Sequence, residues 1–274
     1  SNGLIHGLTT ATETAEWGIL PPVDHGEGIP GSTPYQITYV RQSDGLEGPP
    51  IYGPPIDTTQ AIIGLPTKAG HDINIYFAPY GEAMFLAGST GTDSFTHSGA
   101  PLGAQWVGAG LAPPPVGKLL HPWLSRVLIA DGKTLWATRP LQPELIDLTR
   151  DFIQFADDIT LIYGTNSGVF VGTTAGVQWL DGTVFGDLKN QPIATGYVTL
   201  GSAVEFPLAY LNEKVRPGGI LQGSLCLVDG VVHLIHGTGQ ITPLTAQRYR
   251  AARTEVHATV RMRGGTMQYL AAPA

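Results

Sequence analysis

Large apolar and polar side chains alternate through Tyr35-Gln36-Ile37-Thr38-Tyr39-Val40, the period-two pattern of a strand with one face in a core. Gln42-Ser43-Asp44-Gly45 follows with turn chemistry, because glycine takes a positive φ without steric cost. Ala61-Ile62-Ile63-Gly64-Leu65-Pro66, Ile73-Asn74-Ile75-Tyr76-Phe77 and Ala83-Met84-Phe85-Leu86-Ala87 predict three more short strands, the last two joined by Pro79-Tyr80-Gly81-Glu82. Closely spaced turn signals across 33–98 point to an antiparallel sandwich of the immunoglobulin or fibronectin type. Without paired cysteines, the fibronectin-like version is favoured.

A second pattern begins after Ala112-Pro113-Pro114-Pro115-Val116, where three fixed φ angles make a stiff, extended spacer. Beyond it, apolar runs pair across tight turns. Val127–Ala130 turns at Asp131-Gly132-Lys133 into Thr134–Ala137, and Gly168–Gly172 turns into Gly176–Leu180. Leu225–Val228 turns at Asp229-Gly230 into Val231–Ile235, and Val256–Met262 turns at Arg263-Gly264-Gly265 into Thr266–Leu270. Asp-Gly between alternating runs is the strongest short-range hairpin signal. Four such units, irregularly spaced, resemble degenerate propeller blades; a barrel or a second sandwich is the alternative. Gly3–Gly7 with Ala15-Glu16-Trp17 forms one more expected hairpin, placed to close the propeller by pairing with the C-terminal strands. The predicted organisation is therefore all-β: 1–29 closing strands, 30–112 an inserted fibronectin-like sandwich, and 113–274 a propeller-like domain.

Composition agrees with many turns and little helix. Of 274 residues, 36 are Gly and 22 Pro, only 14% are charged, and 42% are hydrophobic, too many for a disordered chain. Neutral surface on that scale suits burial against partner subunits. The net charge of −7 is uneven: 1–116 holds ten acids and two bases, while 117–274 holds twelve acids and thirteen bases. Two parts with different electrostatics suggest different neighbours. The single cysteine, Cys226, lies in an apolar run and reads as a buried small hydrophobe, leaving no internal disulfide. The first residues lack the pattern of a signal peptide, and no apolar run is long enough for a membrane-spanning helix. The expectation is a protein made in a reducing cytoplasm.

Candidate chemistry is sparse. Asp157-Asp158 offers two carboxylates, but neighbours on a strand face opposite ways, so a solvated turn before Ile159 is preferred. His233 and His236 would share a helix face, yet this segment reads as strand and separates them. Gly164-Thr165-Asn166-Ser167-Gly168 displaces its serine from the centre that a nucleophile elbow requires. Arg248, Arg250, Arg253, Arg261 and Arg263 crowd the C-terminus and could meet phosphates, but they equally fit the outer positions of amphipathic strands. Trp123, Trp136 and Trp179 could stack on sugars, with core packing the preferred role. No catalytic, cofactor-binding or metal-ligating residue is assigned, and no cofactor is expected.

Thr134-Leu135-Trp136-Ala137-Thr138-Arg139-Pro140-Leu141-Gln142-Pro143-Glu144-Leu145-Ile146-Asp147, continued by Phe152–Phe155, Ile159–Ile162 and Gly168–Thr174, resembles a family of bacteriophage and prophage virion proteins related to tail nozzle or hub proteins. Ile37–Val40 with Asp44–Glu47 resembles the first strand and turn of the fibronectin-like insert in such proteins, and the similar segments span roughly 33–180. The resemblance implies a non-enzymatic structural component of a virion tail, in a homo-oligomeric ring with other tail or neck proteins around the DNA path. Passage of DNA through such a ring would be non-specific. The chain is shorter than a usual nozzle, so neck, nozzle and tip all remain open as stations. A host-surface module recognising glycan or protein is the alternative function, and a glycan hydrolase on the same scaffold is a third.

Overall fold

The computed structural model describes residues 6–8, 14–16, 19–81, 83–106, 108, 111–143, 145–207, 222–245, 255–264 and 266–274. Among them the chain is all-β, with many small antiparallel sheets, a single 3-10 turn at Phe185–Asp187 and no α-helix. It divides into two compact units, Ser1–Pro114 with Gln142–Thr149, and Pro115–Leu141 with Arg150–Ala274.

In the first unit β1 (His6–Leu8) pairs with β2 (Thr14–Glu16). The main sheet comprises β3 (Pro30–Arg41), β4 (Ile51–Ile56), β6 (His71–Phe77) and β7 (Phe85–Thr90), and a separate ladder joins β5 (Ile62–Ile63) to β8 (Ser94–Phe95). Its order is β4-β3-β6-β7, and alternation puts Tyr35, Ile37, Tyr39, Ile73, Ile75 and Phe77 on one face. They share a core with Ile56, Ile62 and Leu65. Ile19 is buried in the same core, and the stretch after it bridges Glu27 to Ile63. Residues 19–29, which strand economy alone attaches to the propeller-like part, thus group with this unit because their apolar side chain finds its partners here.

β4 runs through Pro54-Pro55, which removes two ladder donors, and its pattern gives no strand signal. The sheet order explains it: β4 is an edge strand, where proline is tolerated. Gly53 lets β4 lie against Tyr35, since a Cβ there would stand 2.2 Å from that ring. The other sheet face is polar yet covered. Gln36 and Thr38 are fully buried, and the Glu47 carboxylate accepts from Thr38, from Tyr76 at 2.7 Å and from Asn74 at 3.0 Å. Burial and this hydrogen bond raise the Tyr76 phenol pKa well above its ordinary value. Last in the unit's first segment is β9 (Leu111–Ala112).

The second unit is a run of meanders. β10 (Leu119–Trp123), β11 (Arg126–Asp131) and β12 (Thr134–Ala137) are followed by β14 (Phe152–Gln154), the intervening β13 (Ile146–Asp147) belonging to the first unit, where it pairs with β9. The sheet order is β10-β11-β12-β14. β15 (Ile159–Thr165), β16 (Gly168–Thr173), β17 (Gly176–Asp181) and β18 (Lys189–Thr195) form the second sheet in chain order. β19 (Val204–Pro207), β20 (Gln222–Val228), β21 (Val231–His236) and β22 (Gln240–Pro243) form the third, and β23 (Val256–Arg263) pairs with β24 (Thr266–Pro273). All four hairpins expected from the sequence form in this unit. Asp229 and Gly230, at φ 47° and 76°, carry the two positive φ values of a type I′ turn.

Successive sheets stack through alternate faces. Leu128, Ala130 and Leu135 of the first sheet meet Ile162, Val169 and Leu180 of the second. The opposite face of the second, with Tyr163, Phe170 and Trp179, packs on Cys226, Val228 and Ile235 of the third. Leu225, Leu227 and Leu234 of the third then meet Val260, Met267 and Tyr269 of the last hairpin. The expected closure differs. Among the described residues no closed propeller is seen, and β1–β2 and β23–β24 are each two-stranded ladders. Isolated hairpins spend their hydrogen bonds on each other, so hairpin patterning does not reveal a third partner. Residues 1–5 and 17 of the proposed closing hairpin lie outside the described residues.

Candidate functional site

The opening strands of the three meanders, β10, β15 and β19, border one concavity of about 430 Å³. β10 supplies His121, whose ring lies 5.4 Å from that of Tyr163 on β15 at an interplanar angle of 57°. Gly164 permits this approach, since a Cβ there would stand 2.7 Å from Trp123 and 3.1 Å from His121. The Trp123 indole N–H donates to the Thr165 carbonyl at 2.8 Å, tying β10 to the end of β15.

Thr160 enters through a backbone irregularity. The ladder pairs Ile159 with Thr173 and Leu161 with Gly172, leaving Thr160 as the extra residue of a β-bulge. Thr160 is among the residues that border the concavity, while its hydroxyl is buried and has no hydrogen-bond partner. Glu205 on β19 is the only charged residue among the described lining residues. Burial lowers the His121 pKa, opposed by a hydrogen bond to the Gly164 backbone and by the negative charge of Glu205. Burial, reinforced by Glu205, pushes the Tyr163 phenol up to about 12. Both rings are uncharged near neutral pH. The arrangement can donate and accept hydrogen bonds without a positive charge.

No family model and no curated protein matches this chain. Its chemistry therefore rests on the residues themselves.

A second hollow, in the first unit, measures about 480 Å³ and is lined mainly by apolar groups including Phe77, Phe85 and Leu102. The His97 ring stands edge-on to Phe77 at 5.5 Å, and its Nδ1 is buried without a partner.

The residues singled out in the sequence are scattered. Asp157 and Asp158 occupy the bend before β15, half-buried and exposed respectively. His233 and His236 sit on β21, where His236 is buried with Nε2 2.9 Å from the Thr242 hydroxyl, and His233 Nδ1 is 2.9 Å from the Val231 carbonyl. Ser167 lies in the β15–β16 turn and donates to the Gly237 carbonyl at 2.5 Å. Among the described residues, no group of three or more His, Cys, Asp or Glu could hold a metal ion. Trp123 and Trp179 are core residues, and Trp136 is half-buried. Arg261 and Arg263 are exposed, Arg261 donating to the Gln268 side chain at 3.1 Å; Arg248, Arg250 and Arg253 lie outside the described residues.

His121, Tyr163 and Glu205 are missed by motif reading because no local pattern joins them. A signal does exist: they are evenly spaced along the chain, and the same interval of 42 residues separates Trp123 from Thr165. The meanders open at Leu119, Ile159 and Val204, so that interval is close to the one between successive opening strands.

Proposed function

We propose that this chain is a non-enzymatic structural subunit of a bacteriophage tail, at its neck, nozzle or tip, assembling in a symmetric ring with other tail proteins around the DNA path. In this reading the three meanders and the last hairpin are degenerate blades of a propeller-like domain, and the first unit carries a fibronectin-like sandwich.

One observation carries the assembly reading. Leu124, Ser125 and Leu141 are non-glycine residues at φ 42°, 66° and 59°. That region costs an L-residue about 1–2 kcal/mol. The Leu141 N–H donates to the Ser125 carbonyl at 2.8 Å, so the two tips are held together, with Leu124 40% and Leu141 82% exposed. Strained backbone that displays apolar side chains destabilises a lone chain and is offset when a partner covers them. The low charge of the chain supports the same reading, and a head-to-tail contact that closes would yield a ring.

Replacing Leu124 by Asn and Ser125 by Gly gives the turn its preferred residues. The pair should raise thermal stability while abolishing higher-order assembly measured by sedimentation, and Leu141→Asn should impair assembly alike. A monomeric wild-type chain that is also absent from purified virions sinks the proposal.

A further inference from the structure

We propose that the outward face of the last hairpin, β23–β24, docks on the row of Glu27, Ile63 and Ser94 in the first unit of a second copy of this chain. The contact rests on the assembly reading and deepens it, supplying a head-to-tail interface between two unlike faces.

The hairpin supplies a cationic face around an apolar centre. Val260, Met267 and Tyr269 pack on the third sheet, so alternation turns His257, Thr259, Arg261 and Arg263 the other way, and all four are exposed. Across the ladder Thr259 stands opposite Leu270, which is 37% exposed, and Arg261 stands opposite Gln268. Arg261 and Leu270 are therefore diagonal neighbours on one face. Neither strand contains an acid. The second and third sheets are covered on both faces, whereas among the described residues the hairpin is covered on one.

The first unit supplies the complement. Glu27 bridges Ile63, which pairs with Ser94, so the three form one cross-strand row. Gly26 and Ile62 beside them are buried, while Glu27, Ile63 and Ser94 are exposed, Ile63 at 55%. Ile29, two residues on, is another exposed apolar side chain, and Asp24 and Asp93 add exposed carboxylates. Residues 19–29, 62–65 and 93–95 hold no lysine or arginine. An acid beside an isoleucine in one copy thus faces an arginine beside a leucine in the next, removing both apolar groups from water and opposing unlike charges. The bias extends through the chain: 1–116 holds ten acids against two bases, and 248–274 holds five arginines against Glu255. Duplex nucleic acid fits this face less well, because phosphates need cations spread along it, and its middle is Thr259, Leu270 and Ala272.

The test follows self-association of the full chain by sedimentation velocity from about 1 to about 100 μM. Wild type should associate with rising concentration, and less so at high salt. Arg261→Glu/Arg263→Glu and Asp24→Lys/Glu27→Lys each reverse one face at exposed positions. Both variants should melt as wild type does and associate about tenfold or more weakly. Mixed in equal amounts they should associate again, because each keeps the face that the other has lost. Association of both variants equal to wild type overturns the contact and leaves the ring to the turns at Leu124 and Leu141. A wild type that stays monomeric over the whole range also overturns it, and leaves the tail reading to the composition of virions. Variants that weaken association singly but stay apart when mixed overturn it too. So does an Arg261→Glu/Arg263→Glu chain that loses binding to duplex DNA while its self-association is unchanged.

Discussion

Trp179 offers the sharpest test of how the second unit is held together. Its indole lies in the core between the second and third sheets, 4.6 Å from the ring of Phe170, which stands directly opposite on β16. Truncating a buried Trp or Phe to Ala costs about 3–5 kcal/mol, and the upper part of that range applies where the walls cannot close in. The walls here are backbone: Gly168 and Gly239 approach so closely that a Cβ would stand 2.5 Å and 2.7 Å from the indole. The sole cysteine, Cys226, belongs to the same buried cluster, and burial pushes its thiol up to about 12. Labelling of that thiol therefore requires the cluster to open. When closing outpaces labelling, the rate follows the opening free energy, so Trp179→Ala should accelerate it roughly a hundred- to several-thousand-fold. Phe170→Ala should do the same. The double variant should fall short of the summed effects by about 0.5–1.5 kcal/mol, the worth of an aromatic pair beyond its area. An acceleration below tenfold for Trp179→Ala, with native circular dichroism, would falsify the stacked-sheet core.

Three further outcomes are expected. Gly53→Ala should destabilise the first unit by about 1–3 kcal/mol in urea titrations, because the new methyl meets the Tyr35 ring; an unchanged midpoint refutes the close approach. Glu47→Ala should cost about 1–3 kcal/mol, since it strips an acceptor from Thr38, Asn74 and Tyr76, and a variant as stable as wild type would show that the cluster contributes nothing. Burial lowers the folded-state pKa of both His121 and His236, so the unfolded chain takes up protons first as pH falls. Stability should be full above the ordinary histidine pKa of about 6.5 and decline below it, and the decline should shrink in a His121→Gln/His236→Gln double variant measured by thermal melts across that range.

Alternation and turn chemistry made much of the strand content legible. Tyr35 to Val40 lies in β3, Ile73 to Phe77 in β6, and the four downstream hairpins pair as their turns require. What escaped was set by tertiary context. β4 carries two prolines that only an edge position tolerates, and edge position is a property of the sheet, not of the segment. The Leu124-Ser125 turn holds two positive φ values without Asn or Gly, so turn composition says nothing of it. The fourth strand of each meander, β14, β18 or β22, is short or largely exposed and shows no clean alternation. The candidate site was invisible to motif reading for a related reason: its members come from three different sheets.

Equal spacing and a local irregularity together explain why these members meet. Meanders of similar length return the chain to an opening strand at similar intervals, so His121, Tyr163 and Glu205 recur on opening strands although their chemistry differs. Equivalent places are not enough, because strand parity decides which face each residue takes. On β15, Ile159 and Ile162 pack toward the first sheet while Leu161 and Tyr163 pack toward the third. Strict alternation would put Ile159, Leu161 and Tyr163 on one face. The bulge at Thr160 inserts the one residue that reverses parity, letting Ile159 reach one core and Tyr163 the other. The residue left over by that reversal is the one whose hydroxyl has no partner. A local device that reconciles two cores thus also leaves a buried hydroxyl without a partner on the strand between them.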